Sequence, residues 1–552
     1  MSVRTIRVVT RSMDPGIRRL LSALEALWPL RFVESSNPES AAHAVLVLGP
    51  ASDGEPWLDH GLPLLVVPID DRPGHVGRRN VTFGHGDAAP AALAGRTMLE
   101  ARPTGRNATL AEWSGDAVIA SVADGPVWIR RRTAAGAQGI DMSAVPVPRL
   151  LPGQALGQYL DRNQFLGALP LLEFCARICA DSRWVGHGGR ACLVFDDVNL
   201  RGSTYGCLDF RTLAASARTR GYHVSMGLIP CDAARVDPGT AALFREHPRE
   251  LSVVIHGNNH LERELAHDRS REERLAILAE ARRRMDRLSR SHRVGFCAVE
   301  EPPYGIFRAN CVEPLLELGY EAVLCAVSQF LDCNPDFDGP PSFGGGPADY
   351  LGSGLATIPR IPFARGWETE ALLASYLGQP FVIACHHQDA ADDLRHIEEA
   401  VDFVNGLGPF DWCSPSRIAS SRYTTRREGS TLRLRISGRR VVAAIPDWAE
   451  TVVVERPWME ADSMEVLRWG APEGSHRDDL FGRVSPSLPV AGCTEVAIDS
   501  SYANTVDPST VPSTPSGPWP LMRRMLAEAR DRSYPYLPRF LRHAAGGLAS
   551  SE

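Results

Sequence analysis

Seven short apolar runs punctuate residues 191–385, and the stretches between most of them are long enough to hold a helix. They are ACLVF (191–195), YHVSMGLI (222–229), LSVVIH (251–256), VGFCAVE (294–300), AVLCAV (322–327), ATIPRIPF (356–363) and FVIAC (381–385). Each is too short for a helix and apolar almost throughout. That pattern predicts strands buried on both faces, as in a parallel sheet. Between two of them, DRSREERLAILAEARRRMDRL (268–288) repeats Leu275, Leu278, Met285 and Leu288 on or near one helical face. Some seven strand–helix units predict an α/β barrel, in which chemistry collects at the C-terminal ends of the strands.

At 552 residues the chain exceeds one core, and three or so domains are expected. Residues 1–150 alternate TIRVV, AVLVLG, LPLLVVPI and VTFG with helical stretches, which predicts a parallel α/β domain. It looks like a flavodoxin or amidotransferase-type layer. It carries neither a phosphate-binding glycine signature nor a nucleophile elbow, so a binding or structural role is expected. Residues 117–132 predict a hairpin closing it. In the connector 151–185, Phe165, Leu166, Leu169, Leu172 and Ala176 recur at helical spacing, and Pro170 divides them into two short helices. Residues 426–502 alternate as an antiparallel sheet with one buried face does, predicting a small β-sandwich. Residues 503–552 read as a Ser/Thr/Pro linker followed by an arginine-rich amphipathic helix over about 519–545. That helix is broken near Pro535 and Pro538 and is expected to be a packed tail.

All 59 basic residues are arginine, and the net charge is −7. No basic face interleaved with aromatics stands out, which argues against nucleic acid as a partner. Arg4, Arg7 and Arg11 interrupt the first apolar run, so no secretory leader is expected. No stretch of about 18 uncharged apolar residues occurs, so no transmembrane segment is expected. Twelve cysteines are scattered without a CxxC pair, and Cys192, Cys325 and Cys385 sit in apolar runs as buried thiols would. The expected location is cytoplasmic.

Four polar clusters end these runs in order. Asp196 and Asp197 follow ACLVF directly. Adjacent carboxylates repel unless a cation or proton relieves them, and a metal on one frees the other as a base. On a regular strand they would face opposite ways, so a turn is expected there. His256 and His260 follow LSVVI at a four-residue spacing that suits a shared zinc-like ion. EEPPYGIFR (300–308) supplies a rigid, sharply turned loop at Tyr304 that could aim a backbone N–H at an oxyanion. His386 and His387 follow FVIAC, where a histidine could act as general acid. Singly, each cluster has an ordinary structural explanation; together, in register with strand ends, they do not.

FDD, HxxxH, PPYG and a late strand-end histidine, in this order, resemble the NodB-homology polysaccharide deacetylases, carbohydrate esterase family four. The resemblance covers residues 186–425 and implies a distorted (β/α)7 barrel. By motif position, it implies that Asp197, His256 and His260 hold one divalent metal, zinc first and cobalt or manganese next. Asp196 would be the base, the Tyr304 amide would face the oxyanion, and His386, or else His387, would protonate the leaving amine. Gly257 stands where the family carries Ser or Thr. Glu301 stands where the family has the arginine that orients the base, and with Glu300 it would raise the pKa of Asp196 unless both point away or pair with an arginine. Arg360 or Arg365 could supply that charge. The family's aspartate that tunes the acid histidine has only Asp332 as a weak match.

The resemblance implies hydrolysis of an N-acetyl group on an amino sugar. Without a leader, the expected substrate is a precursor such as a lipid-linked or nucleotide-linked sugar, a nascent exopolysaccharide unit or another glycoconjugate. Two alternatives stand beside it: hydrolysis of a non-sugar amide on the same barrel, or an inactive carbohydrate-binding protein. The flanking domains could hold a large substrate or form a homo-oligomer. DCNPDFDG (332–339) is expected to be a solvated turn rather than a calcium loop, GGGP (344–347) a hinge or linker, and His223 and His247 ordinary structural or surface histidines.

Overall fold

A computed structural model describes residues 3–35, 41–50, 61–69, 78–101, 109–112, 115–133, 136–187, 189–513 and 518–536, with Asp53 and Trp57. The chain forms two compact units. The first comprises residues 1–185, 335–346 and 368–377, and the second the remainder.

In the first unit the strands Leu30–Glu34, Arg4–Thr10, Ala44–Leu48, Leu64–Val67 and Gly136–Ser143 pair in parallel, in that order across the sheet. The sheet then continues antiparallel through Gly125–Thr133, Ala117–Val122, Arg79–Phe83 and Thr97–Glu100. It is therefore half parallel and half antiparallel, not the parallel layer the sequence predicts. Part of the reason lies between Ala117–Val122 and Gly125–Thr133, where two residues join the strands and leave no room for the crossover that a parallel pairing requires. Before residue 150, Pro15–Leu27 is the one α-helix among the described residues. Asp14 caps it by accepting the Ile17 N–H, and it buries Ile17, Leu20, Leu21 and Leu24. The expected hairpin at 117–132 is present. Leu156–Asp161 and Leu169–Ile178 are the two short helices of the connector, the second with Pro170 in its first turn. Gly157 backs onto Gly344, where a Cβ would lie 2.5 Å from its Cα, so residues 341–346 are packed and not a free linker.

The second unit holds a curled, mostly parallel sheet ordered Leu355–Pro359, Ala322–Cys325, Cys297–Glu301, Leu251–His256, Val224–Leu228, Gly189–Val198, Phe381–Cys385. Ile361–Pro362, continuing past Arg360 from Leu355–Pro359, pairs with Phe381–Cys385 at the other end of this order. The expected apolar runs are these strands. Their alternate side chains, among them Val194, Val254, Val299, Leu324, Ile358 and Val382, meet in one buried cluster with Ile418 and Ala419 of the short helix Pro415–Ser420. Full burial of aliphatic side chains such as these contributes about 1.5–3 kcal/mol each. The helix Arg271–His292 begins at a capping box in which Ser270 and Glu273 exchange bonds, and it buries Leu278, Met285 and Leu288. Residues 423–500 form two facing sheets around Leu434, Val441, Val454, Leu467 and Ile498. One departure from the antiparallel expectation is the parallel pairing of Thr431–Ile436 with Thr451–Glu455. The last described elements are the helix Trp519–Ser533 and a turn at Tyr534–Tyr536; the expected continuation to 545, Pro538 included, lies outside the described residues. Among the described residues no helix is long and apolar enough to cross a membrane. All twelve cysteines are free thiols.

Candidate functional site

The strand Gly189–Val198 does not end at the aspartates. Its pairing with Val224–Leu228 slips between Phe195 and Val198, and Asp197 takes a left-handed backbone with φ of 66°. This bulge, not the expected turn, brings two neighbouring carboxylates to one side of the sheet. A left-handed non-glycine residue costs roughly 1–2 kcal/mol, least for Asp and Asn. His260 (φ 51°) and Tyr304 (φ 59°) share that conformation. Such strain gathers where the surrounding structure demands a particular side-chain direction.

His256 closes the strand Leu251–His256, and the loop after it turns at Gly257, with φ of 59°. A Cβ on Gly257 would lie 2.5 Å from Pro303 Cγ, so the family's Ser or Thr does not fit here. The loop is tied from within. Glu264 accepts the amide N–H groups of Asn258 (2.8 Å), Asn259 (3.0 Å) and His260 (3.2 Å). As a result His260 Nε2 lies 3.0 Å and His256 Nε2 3.7 Å from Asp197 Oδ1. One donor atom from each of the three residues lies within 4.8 Å of the others. His256 Nδ1 sits 3.0 Å from the Glu301 carbonyl, which fixes the proton on Nδ1 and leaves the Nε2 lone pair facing Asp197.

Burial pushes the His260 imidazole down to about 4, with Asp197 pulling the other way. Burial alone would raise Asp197, but His260, His256 and Arg524 hold it well below the usual carboxylate range. Neutral imidazoles and an ionised carboxylate are the protonation states a divalent ion needs. Asp197 Oδ1 is buried and faces the two imidazole nitrogens, the position an oxygen sharing a cation with them would take. One oxygen and two imidazole nitrogens fit zinc and its first-row neighbours.

The acids that seemed to oppose this chemistry are resolved by strand alternation and one arginine. Glu300 turns to the loop, where Oε1 accepts the Gly257 N–H at 3.0 Å. Arg360, between the segments Leu355–Pro359 and Ile361–Pro362, places Nη2 2.5 Å from Asp196 Oδ2 and Nε 3.2 Å from Glu301 Oε1. All three side chains are buried. Burial opposes ionisation of Asp196, yet Arg360 and His256 keep its pKa below the ordinary value. Burial and then the Asp196 charge push Glu301 well above its own. A proton taken up by the pair therefore resides on Glu301. Arg365 is exposed and has no part in this cluster.

The two adjacent histidines serve different surroundings. His386 follows Phe381–Cys385, whose register sets Cys385 opposite Phe195, so it stands beside Asp196 and its charge acts on that carboxylate. His386 is exposed, and its amide N–H donates to Asp389 (2.7 Å). His387 is buried edge-on to Tyr205 and Tyr534, with ring centroids 5.8 and 5.5 Å away. Its Nε2 is 3.5 Å from Asp531, a carboxylate of the C-terminal helix. Asp332, the weak sequence match for a histidine-tuning aspartate, is exposed. Tyr304 packs its ring 5.5 Å from that of His260.

Two contributors to this site, Glu264 and the C-terminal helix, go unread in the sequence. A carboxylate four residues beyond the second histidine was the available signal for Glu264. Asp531, 144 residues along the chain from His387, had none. In that helix Arg524 donates to Asp232 (3.0 Å) and to the Asp197 carbonyl (3.3 Å), and Arg523 donates to the His260 carbonyl. Elsewhere Asp336 and Asp338 are exposed as expected of a solvated turn, whereas Asp332, also exposed, lies in the short helix Val327–Cys333. His223 bridges the Arg249 carbonyl and Ser252, a structural role, and His247 lies near Glu250.

A scan against protein-family models finds no match, and a search of curated proteins finds none either. Among solved structures the chain is similar to a family 4 carbohydrate esterase from Streptomyces lividans in complex with acetate. That match has 16% identity over 42% of this chain and 93% of that one, with a TM-score of 0.25. A protein from Mycobacterium smegmatis provisionally described as a polysaccharide deacetylase matches at 14% identity, 43% and 91% coverage, and a TM-score of 0.31. A Thermoplasma acidophilum protein provisionally described as one component of a GMP synthase matches at 16% identity, 32% and 95% coverage, and a TM-score of 0.21. Likenesses of this size carry no functional weight; the side chains do.

Proposed function

We propose that the second unit is a metal-dependent hydrolase that removes an N-acetyl group from an amino sugar of a glycoconjugate, working at the strand ends of a distorted (β/α)7 barrel. The observation that carries this reading is the convergence of Asp197, His256 and His260 beside a second carboxylate, Asp196, which an arginine keeps ionised. Those three residues would hold one divalent cation, zinc first. When bound, such an ion lowers the pKa of water and polarises an acyl carbonyl.

The chain's own residues supply the rest. Asp196 is the base that takes a proton from the attacking water, and Arg360 orients it through one of its two carboxylate oxygens. Glu301 fills the other side of the Arg360 fork, so an acid stands where the family has its arginine and the charge comes from a different strand. The left-handed backbone at Tyr304 turns its amide as an oxyanion donor requires. His386, exposed and beside Asp196, is the group that hands a proton to the departing amine. Buried His387 is the lesser choice.

Acetate release from a panel of N-acetylated amino sugars, with protein reconstituted in zinc, cobalt or manganese, tests the reading. Release that disappears in Asp196→Asn is the expected result. Ring opening of a cyclic amide without acetate would move the activity to the non-sugar alternative, and no turnover with any metal would reject hydrolysis.

A further inference from the structure

The helix Trp519–Ser533 is amphipathic in the reverse of the usual sense. Its buried positions include Arg524 and Asp531, engaged with Asp232 and His387. Its outward face exposes Trp519, Leu521, Met522, Met525 and Leu526, each between 50% and 65% accessible. A water-facing helix ordinarily does the opposite. A contiguous apolar stripe of this kind marks an interaction surface.

Charge indicates what the surface meets. Both acids of the helix are drawn off that face: Glu528 bonds Arg201 and Arg532, and Asp531 bonds Tyr205 and Arg530. Arg530 has a side chain 73% exposed, and no exposed residue of the helix is acidic. Trp519 and Tyr536 (87% accessible) flank the stripe, aromatic types that favour the boundary between lipid and water. An apolar face with one exposed arginine, no exposed carboxylate and aromatics at either end suits an interfacial helix on anionic lipid.

We propose that the outward face of this helix docks the protein on an anionic lipid surface. The inner face of the same helix rests on His260 and beside Asp197, so docking sets the candidate site at that surface. Resting on the deacetylase reading, this makes a lipid-carried amino sugar the substrate class.

Co-sedimentation of the full chain with vesicles tests the docking. Wild type is expected to pellet with phosphatidylcholine–phosphatidylglycerol vesicles, less as salt rises, and not with phosphatidylcholine alone. M525E/L526E is expected to bind about tenfold more weakly with wild-type melting, because its side chains are exposed; R530E is expected to bind more weakly too, with lower melting because it also breaks the Arg530–Asp531 pair. Equal pelleting of wild type and variants, or none with the anionic vesicles, overturns the proposal. A wild-type dimer that becomes monomeric in M525E/L526E overturns it too, assigning the face to a second copy. Vesicle binding needs no turnover: bound protein that releases no acetate refutes the enzymatic reading alone.

Discussion

Arg360→Met would remove the guanidinium that lies 2.5 Å from Asp196 and 3.2 Å from Glu301, leaving two buried carboxyls facing each other. Removing one partner of a buried ion pair costs about 3–5 kcal/mol, because the uncompensated charge stays in place. For a unit larger than 300 residues roughly 1–2 °C of melting temperature follows each kcal/mol, so a drop of about 5 °C is expected. The loss depends on pH in a defined direction. Burial already opposes ionisation of Asp196, and Arg360 is the largest counterweight. Without it the folded-state pKa of Asp196 rises above its unfolded value. A carboxyl so raised contributes stability below the unfolded pKa and loses it as pH climbs through the folded one. The gap between variant and wild type therefore widens from about pH 5 to about pH 8. Adding Glu301→Gln to Arg360→Met removes one of the two acids and is expected to narrow the gap. Thermal melting of the three proteins at both pH values measures this. A variant that melts within a degree or so of wild type at both would refute the claim that Arg360 neutralises the pair.

Three further outcomes follow from neighbouring features. Gly257→Ala places a Cβ 2.5 Å from Pro303 in a left-handed backbone; a loss of roughly 2 kcal/mol is expected in denaturant unfolding, with weaker metal affinity. Glu264→Ala strands three loop amides. About 2–4 kcal/mol should be lost, whereas Glu264→Gln, which keeps one acceptor oxygen, should lose less, as urea titration would show. In the first unit, burial and then Asp161 push Glu370 up to about 8. Its folded pKa lies above the unfolded value, so the stability it contributes is present at low pH and lost between about pH 4 and about pH 8. Glu370→Gln should flatten the decline in melting temperature over that window, and an unchanged slope would count against it.

What the sequence makes legible here is whatever is coded locally. The apolar runs of the second unit are strands because alternate residues pack inward and helices cover the other side. Asp196, Asp197, His256 and His260 were readable because they directly terminate those runs. Arg360 could be offered only as one of two candidates, since its partners lie 164 and 59 residues away and nothing local to IPRIPFARGW separates it from Arg365. The bulge at Asp197 was misread as a turn because a slipped register leaves no mark in composition. In the first unit, strands were found but not their direction, which depends on connections and not on hydrophobicity. The C-terminal helix was expected to be packed, and it is, but with its charged face inward. Amphipathic periodicity gives a helix its faces without saying which one is buried.

The central claim is that Asp197, His256 and His260 share one divalent ion. Elemental analysis of the full chain, loaded with zinc and then freed of excess metal, tests this most directly when run beside His256→Ala and Asp197→Asn. About one equivalent per wild-type chain, lost in both variants while the fold is retained, is the predicted result. A wild-type chain that retains no metal, or variants that retain as much as wild type, would contradict it.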